Sequence, residues 1–209
     1  MAGTIRDDRR RFRRAPACSP RRTHDPQEPL EMFGHVRQDY ARLAAYRGRH
    51  GLAFLLGTLL FDNGFQAVLL YRLARWLKRA RIPVLPACCW RLAIFCTGAD
   101  VNPNAQLGPG LVISHGVGLV VGGDVVAGRD LLLHHGVTLG APTPGRIAQT
   151  PRFGDGVSIG AGTLVLGAVM VGDGAFLGAG VLVARDVPPR AKVTVAAAPQ
   201  VTLAGAADP

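Results

Sequence analysis

The sequence predicts a mainly β protein: a parallel β-helix of hexapeptide repeats, preceded by a small α-helical domain. Three observations carry that reading. Apolar residues recur every six positions from Val101 to Val183, with one interruption. Glycine is abundant, 27 of 209 residues, while aromatic residues make up only 6%. Upstream of residue 98 the apolar period is helical instead.

Residues 1–29 are rich in Arg, Pro and polar residues, too poor in apolar surface to offset the entropy of ordering, and are expected to be a disordered basic segment. Residues 30–97 form the expected helical domain of three or four helices. Phe65, Val68, Leu69, Arg72, Leu73 and Trp76 recur at three and four residues and make one helical face. Asn63-Gly64 is expected to break the chain before that helix, and Pro83 and Pro86 to punctuate after it.

Residues 98–195 are the repeat domain. Val101, Leu107, Ile113, Leu119, Val125, Leu131 and Val137 are spaced by six, and so are Phe153, Ile159, Val165, Val171, Leu177 and Val183. Three short strands per turn make a triangular prism, so each coil should take about eighteen residues, with coils about 4.8 Å apart as hydrogen-bonded parallel strands. The sixteen residues from Val137 to Phe153 exceed two hexads by four, so residues 140–152 are expected to be a loop extruded from the prism, a common seat of function. Residues 196–209 are a C-terminal tail.

The net charge of +10 comes largely from Arg9, Arg10, Arg11, Arg13, Arg14, Arg21 and Arg22, and from Arg72, Arg75, Lys78, Arg79 and Arg81. No aromatic pattern for base stacking accompanies them, so no nucleic-acid partner is expected. No membrane contact is expected either: Leu52 to Leu60 is too short to span a bilayer, and the run near Ala93 is interrupted by Arg91. Cys18, Cys88, Cys89 and Cys96 make no CxxC pair. Cys88 and Cys89 are expected at buried apolar positions, in a reducing, cytoplasmic setting. No secretory signal peptide is visible.

Several segments resemble the serine acetyltransferase group of the hexapeptide-repeat acyltransferases. They are Ala99-Asp100-Val101-Asn102-Pro103-Asn104-Ala105, Gly108-Pro109-Gly110-Leu111, Ser114-His115-Gly116-Val117-Gly118-Leu119-Val120-Val121-Gly122 and Gly136-Val137-Thr138-Leu139-Gly140, followed after the loop by Gly154-Asp155-Gly156-Val157, Ile159-Gly160-Ala161-Gly162 and Leu177-Gly178-Ala179-Gly180. Gly64-Phe65-Gln66-Ala67, Tyr71-Arg72 and Trp76 look like the helix that precedes the repeats in that group. The resemblance covers about residues 62–189. It implies a left-handed parallel β-helix, a homotrimer or dimer of trimers, and acetyl-CoA as donor, lying in a groove between neighbouring prisms. It also implies L-serine as the hydroxyl-bearing acceptor, on the way to cysteine.

The chemistry needs a base, because an alcohol is a poor nucleophile at neutral pH, and donors for the developing oxyanion. The resemblance assigns His115 as the base and Asp100 as its carboxylate partner, fifteen residues apart as in the family. His134 and His135 should lie one coil above His115. Without a third histidine in the repeats or an HxxxxH spacing, no metal is expected. His135 is a candidate for the acceptor side. Ala161 and Ala179, one coil apart, and Gly140, where the loop leaves the prism, are the candidates for binding acetyl-CoA.

Three departures bear on the acceptor. The family carries Asp before the catalytic His, and here it is Ser114. It carries an Arg-His pair before a Pro in the loop, and here Gln149 and Thr150 precede Pro151. The family's closing Gly-x-Pro-Ala-Arg-like segment reads Ala196-Ala197-Ala198-Pro199-Gln200-Val201. A zwitterionic amino acid is recognised by opposite charges, so neutral Ser114 and Gln149 suit a sugar or polysaccharide hydroxyl. A non-catalytic trimeric scaffold is the reading from another class, and retention of Asp100 and His115 argues against it.

Overall fold

The computed structural model describes residues 28–142 and 149–195, with side chains from Met32 onward. Most of the expected basic segment (1–27), the middle of the expected loop (143–148) and the tail (196–209) lie outside the described residues. Among the described residues four helices come first: α1 (Glu28–Arg47), α2 (Leu52–Phe61), α3 (Asn63–Arg79) and α4 (Leu85–Thr97). Among the described residues no single helix is long and apolar enough to cross a membrane, although α2 and α3 pass that test as a pair bent by 78°.

The expected chain break at Asn63-Gly64 is in fact the first turn of α3. Asp62 caps it, accepting the Phe65 N–H at 2.9 Å on Oδ1. Gly64 sits there because the Ile113 carbonyl presses against the helix, leaving no room for a Cβ. The buried face of α3 is Phe65, Ala67, Val68, Tyr71, Arg72, Ala74 and Leu77, while Leu73, expected on it, is exposed. The expected burial of the cysteines also fails: Cys88 is exposed and Cys89 half-buried, because α4 turns Ala93 and Thr97 inward instead. Burial and the neighbouring Cys88 raise the Cys89 thiol above its usual range.

Among the described residues fourteen short strands then wind into a parallel solenoid: β1 (Asp100–Val101), β2 (Gln106–Leu107), β3 (Val112–Ser114), β4 (Val120–Val121), β5 (Val126–Ala127), β6 (Leu132–His134), β7 (Thr138–Gly140), β8 (Arg152–Phe153), β9 (Ser158–Ile159), β10 (Leu164–Leu166), β11 (Met170–Val171), β12 (Phe176–Leu177), β13 (Leu182–Val183) and β14 (Lys192–Val193). They stack as three faces: face I is β1-β4-β7-β10-β13, face II is β2-β5-β8-β11, and face III is β3-β6-β9-β12-β14. All pairs are parallel, as the six-residue period requires. Two residues per hexad point inward: in the last coils these are Phe153 and Val157, Ile159 and Thr163, Val165 and Val169, all buried. Thr163 is the polar exception, and its hydroxyl donates to the Gly178 carbonyl at 2.6 Å.

The register corrects the count of the repeats. Asp100 pairs with Val120 and Ile113 with Leu133, so the first coil takes twenty residues, not eighteen. The two extra residues lie between β3 and β4. Beyond them the strand positions are Val121, Ala127, Leu133 and Leu139, and the expected Leu119, Val125, Leu131 and Val137 are the second inward residue of each hexad. Both sets are buried, which is why the period of six ran on unbroken in the sequence while the frame slipped. The loop is longer than expected for the same reason. β8 follows β7 on the next face, and Leu139 to Phe153 is fourteen residues where a hexad needs six, so the excess is eight rather than four.

The helices close the lower end of the prism. The first coil has no coil beneath it, so its backbone groups need other partners. Side chains of α1 and α3 supply them. Tyr71 Oη donates to the Ala105 carbonyl at 2.7 Å and accepts the Leu107 N–H at 3.2 Å. Arg72 donates to the carbonyls of Leu107 and Gly108, each at 2.7 Å. Asp39 accepts the Leu111 N–H at 2.8 Å and grips Arg72 at 2.9 and 3.1 Å. Asp39 is wholly buried and Arg72 is 3% exposed. Burial pushes the Asp39 carboxyl above its usual range, and the Arg72 fork and the Leu111 N–H pull it back.

Candidate active site

The prism edge between faces III and I collects most of the expected residues. Ser114 pairs with His134 across β3 and β6, which brings His115 and His135, the next residues along the chain, to successive levels of the same corner. The expected offset of eighteen set residue 133 over His115; the two extra residues instead put Val117 directly beneath His135, with His115 in the same corner two residues earlier. The edge continues upward: Leu132 pairs with Ser158 and Ser158 with Phe176, which carries the same corner through Ala161 and Ala179. Backbone bonds rivet these corners together: Gly136 N–H to Val117 O at 3.0 Å, Gly162 N–H to His135 O at 2.9 Å, and Gly180 N–H to Ala161 O at 2.8 Å. From bottom to top the stacked positions of the edge therefore read Val117, His135, Ala161, Ala179, with His115 in the lowest corner beside Val117.

The corner at His115 differs from those above it. His115 and Gly116 are the two extra residues, since Ser114 still pairs with His134 and Val117 already matches His135, and His115 has φ of 60°. Non-glycine residues in that left-handed region carry strain and cluster at functional sites. His115 is exposed, and so is Val117 at 62%. The widened corner thus lifts the imidazole out of the ladder. His135 is also exposed, on an ordinary corner. His134, by contrast, is engaged: its Nδ1 donates to the Ile159 carbonyl at 2.9 Å. Ser114 lies beside His115 but is only 6% exposed.

Asp100 opens β1 on face I, two residues beyond the lower corner of the same edge. Within one chain its carboxylate makes no hydrogen bond to His115. Its Oδ1 accepts the indole Nε1–H of Trp90, on α4, at 2.8 Å. Trp90 was not expected at the site. Its place in the sequence, ten residues before Asp100 in a helix, gave only the hint that α4 runs back along the first coil.

Gly140, Gln149 and Thr150 belong to another edge. The loop leaves face I at Gly140 and re-enters face II at Arg152, so it projects from the edge between faces I and II. Thr150 Oγ1 donates to the Asp124 carbonyl at 2.8 Å and pins the returning strand, while Gln149 is exposed. One face separates this edge from His115: about six residues at 3.3 Å each, or roughly 20 Å. A single chain does not bring Gln149, Thr150 and Gly140 together with the imidazoles. Face I between the two edges is partly apolar on its outside, with Val120 40%, Leu164 39% and Leu182 63% exposed.

No family model matches the chain. It is similar to serine acetyltransferases of known sequence. To that of Helicobacter pylori strain J99 it is 39% identical over 145 residues, 69% of this chain and 85% of the relative. To that of Synechococcus elongatus it is 39% identical over 133 residues, 64% of this chain but only 54% of the relative. The chain thus spans about half the length of the latter. Among solved structures, serine acetyltransferase from Neisseria gonorrhoeae in complex with serine matches with a TM-score of 0.72 at 32% identity, over 81% of this chain and 69% of that one. The Brucella abortus serine acetyltransferase matches with a TM-score of 0.69 at 31% identity, over 78% and 66%.

Proposed function

The chain belongs to the serine acetyltransferase family, and from that premise we propose that it transfers acetyl from acetyl-CoA to an alcohol, with L-serine as the first acceptor. The observation that carries this reading is the register that puts His115 in the corner directly below His135, on the edge that continues as Ala161 and Ala179.

His115 is the base. It takes the acceptor's hydroxyl proton as the oxygen attacks the thioester carbonyl carbon. The new C–O bond forms, the carbonyl oxygen takes the negative charge, and collapse of that intermediate breaks the C–S bond. The imidazolium then returns its proton to the departing thiolate. Asp100 orients the imidazole and stabilises the imidazolium, as a carboxylate behind a histidine base does. His135 lies between the base and the alanines, at the level where the carbonyl must sit, and donates an N–H to the oxyanion. The small side chains of Ala161 and Ala179 leave the edge open for the pantetheine arm.

The remaining site residues come from a neighbour. The roughly 20 Å across face I parts Gly140, Gln149 and Thr150 from the imidazoles of their own chain. In a homotrimer packed along these prisms, the loop edge of one subunit meets the imidazole edge of the next. The partly apolar outer side of face I supports such packing.

The test is to incubate the protein with acetyl-CoA and a panel of serine, sugars and nucleotide-sugars, and to follow thiol release. Serine is expected to support release, and His115→Ala to slow it by about 10²–10⁴-fold while the circular dichroism stays unchanged. Wild-type turnover in the His115→Ala protein would remove the base. A second reading, a neutral sugar hydroxyl as acceptor, is favoured by the uncharged Ser114 and Gln149. Release with a sugar and none with serine would select it.

A further inference from the structure

Asp100 is held by more than its own strand. Trp90 lies on the side of α4 turned toward the first coil, with Ala93 and Thr97 buried three and seven residues further on. The end of that helix is locked in place. Thr97 Oγ1 donates to the Ala93 carbonyl at 2.6 Å and accepts the Ala99 N–H at 3.3 Å, and Gly98 caps the helix in the left-handed conformation at φ of 70°. The indole is therefore presented from a rigid element, and its Nε1–H reaches Asp100 Oδ1 at 2.8 Å. Indole N–H is a donor only, and a carboxylate accepts on either oxygen. Occupying Oδ1 fixes the carboxylate's rotation and leaves Oδ2 for a second donor.

We propose that Trp90 is a positioning residue for the catalytic pair: it holds the Asp100 carboxylate so that its free oxygen faces the imidazole of His115. The proposal rests on the reading of His115 as base. Without the indole bond the half-buried carboxylate turns freely toward water, and the imidazole loses the partner that sets its tautomer. The cost falls on the chemical step and not on binding, because Trp90 touches the substrate only through Asp100. The helical segment thereby does more than close the prism: through α4 it orders the first catalytic residue of the repeat domain.

The sharpest variant replaces Trp90 with β-(3-benzothienyl)alanine, which keeps the shape of indole and substitutes sulfur for the N–H. Trp90→Phe is the simpler companion. Thiol release is measured at varied serine and acetyl-CoA, in the wild-type and Asp100→Ala backgrounds. In the wild-type background kcat is expected to fall about tenfold, a loss in line with a hydrogen bond to a charged group, with both KM values unchanged. In the Asp100→Ala background the same replacement is expected to cost nothing further, since the effect passes through the carboxylate. An equal fractional loss in both backgrounds would make Trp90 a packing residue only, and an unchanged kcat in the benzothienyl protein would end the proposal outright. His115→Ala, run alongside, separates the two levels. If it is inactive while the Trp90 variants turn over normally, the base stands and only the positioning role is lost.

Discussion

His35, on α1, stands in the field of four arginines. Burial above all, then the charges of Arg72, Arg79, Arg75 and Arg129, push its imidazole down from 6.5 to about 4. The folded protein therefore keeps His35 neutral in a range where the unfolded chain protonates it. Between about pH 6.5 and pH 4 the unfolded state binds the extra proton, so this residue's contribution is intact above pH 6.5 and is lost as pH falls through the window. His35→Gln, which cannot take up the proton, is expected to flatten that part of the melting temperature's dependence on pH. Parallel curves for the two proteins from pH 7 to pH 4 would rule His35 out as a source of acid sensitivity. At this scale the sequence was informative about identity and silent about posture. Asp100, His115, Ala161 and Ala179 became candidates through the family resemblance, and His135 through its spacing from His115. That His134 is spent on the Ile159 carbonyl, that Ser114 is buried and that Trp90 holds Asp100 depends on side-chain direction, which no spacing fixes.

Among the elements, α1 and α3 are welded to the first coil by the Asp39–Arg72 pair and the carbonyls that Arg72 reaches. Arg72→Leu would leave a buried carboxylate without its counter-charge, and breaking such a pair costs about 3–5 kcal/mol. The urea midpoint is expected to fall accordingly. Replacing both partners, Asp39→Leu with Arg72→Leu, should restore part of the loss, and a double variant weaker than the single one would contradict this account. The repeat itself was legible because inward aliphatic residues cannot be displaced from a prism without leaving a cavity or exposing the core. The two-residue insertion was not, because each hexad offers two inward positions two residues apart beyond the corner. A slip of two therefore moves one apolar column onto the other and leaves the pattern intact. The widening that marks His115 was hidden for that reason. The helical face was read less well, since α3 buries Tyr71 and Arg72 for their polar tips as much as for their stems.

For the whole molecule, the proposed site needs two copies of the chain, because face I keeps the imidazoles and the loop apart. Mixing His115→Ala chains with chains altered at Gln149 and Thr150, then unfolding and refolding them together, should return about a quarter of wild-type activity from random trimers, since half the interfaces carry an intact imidazole and half of those an intact loop. No recovery, with each parent inactive alone, would mean that one chain supplies both. The way α3 closes the lower end has another consequence. Tyr71, Arg72 and Asp39 stand in for a missing coil, and the uppermost strands of the described solenoid carry no such stopper. Stripped of its helices and ended at residue 195, the prism would offer a bare hydrogen-bonding rim at the bottom that matches the rim at its top. Such pieces would add head to tail without limit, and the isolated repeat domain would grow into filaments rather than remain discrete particles.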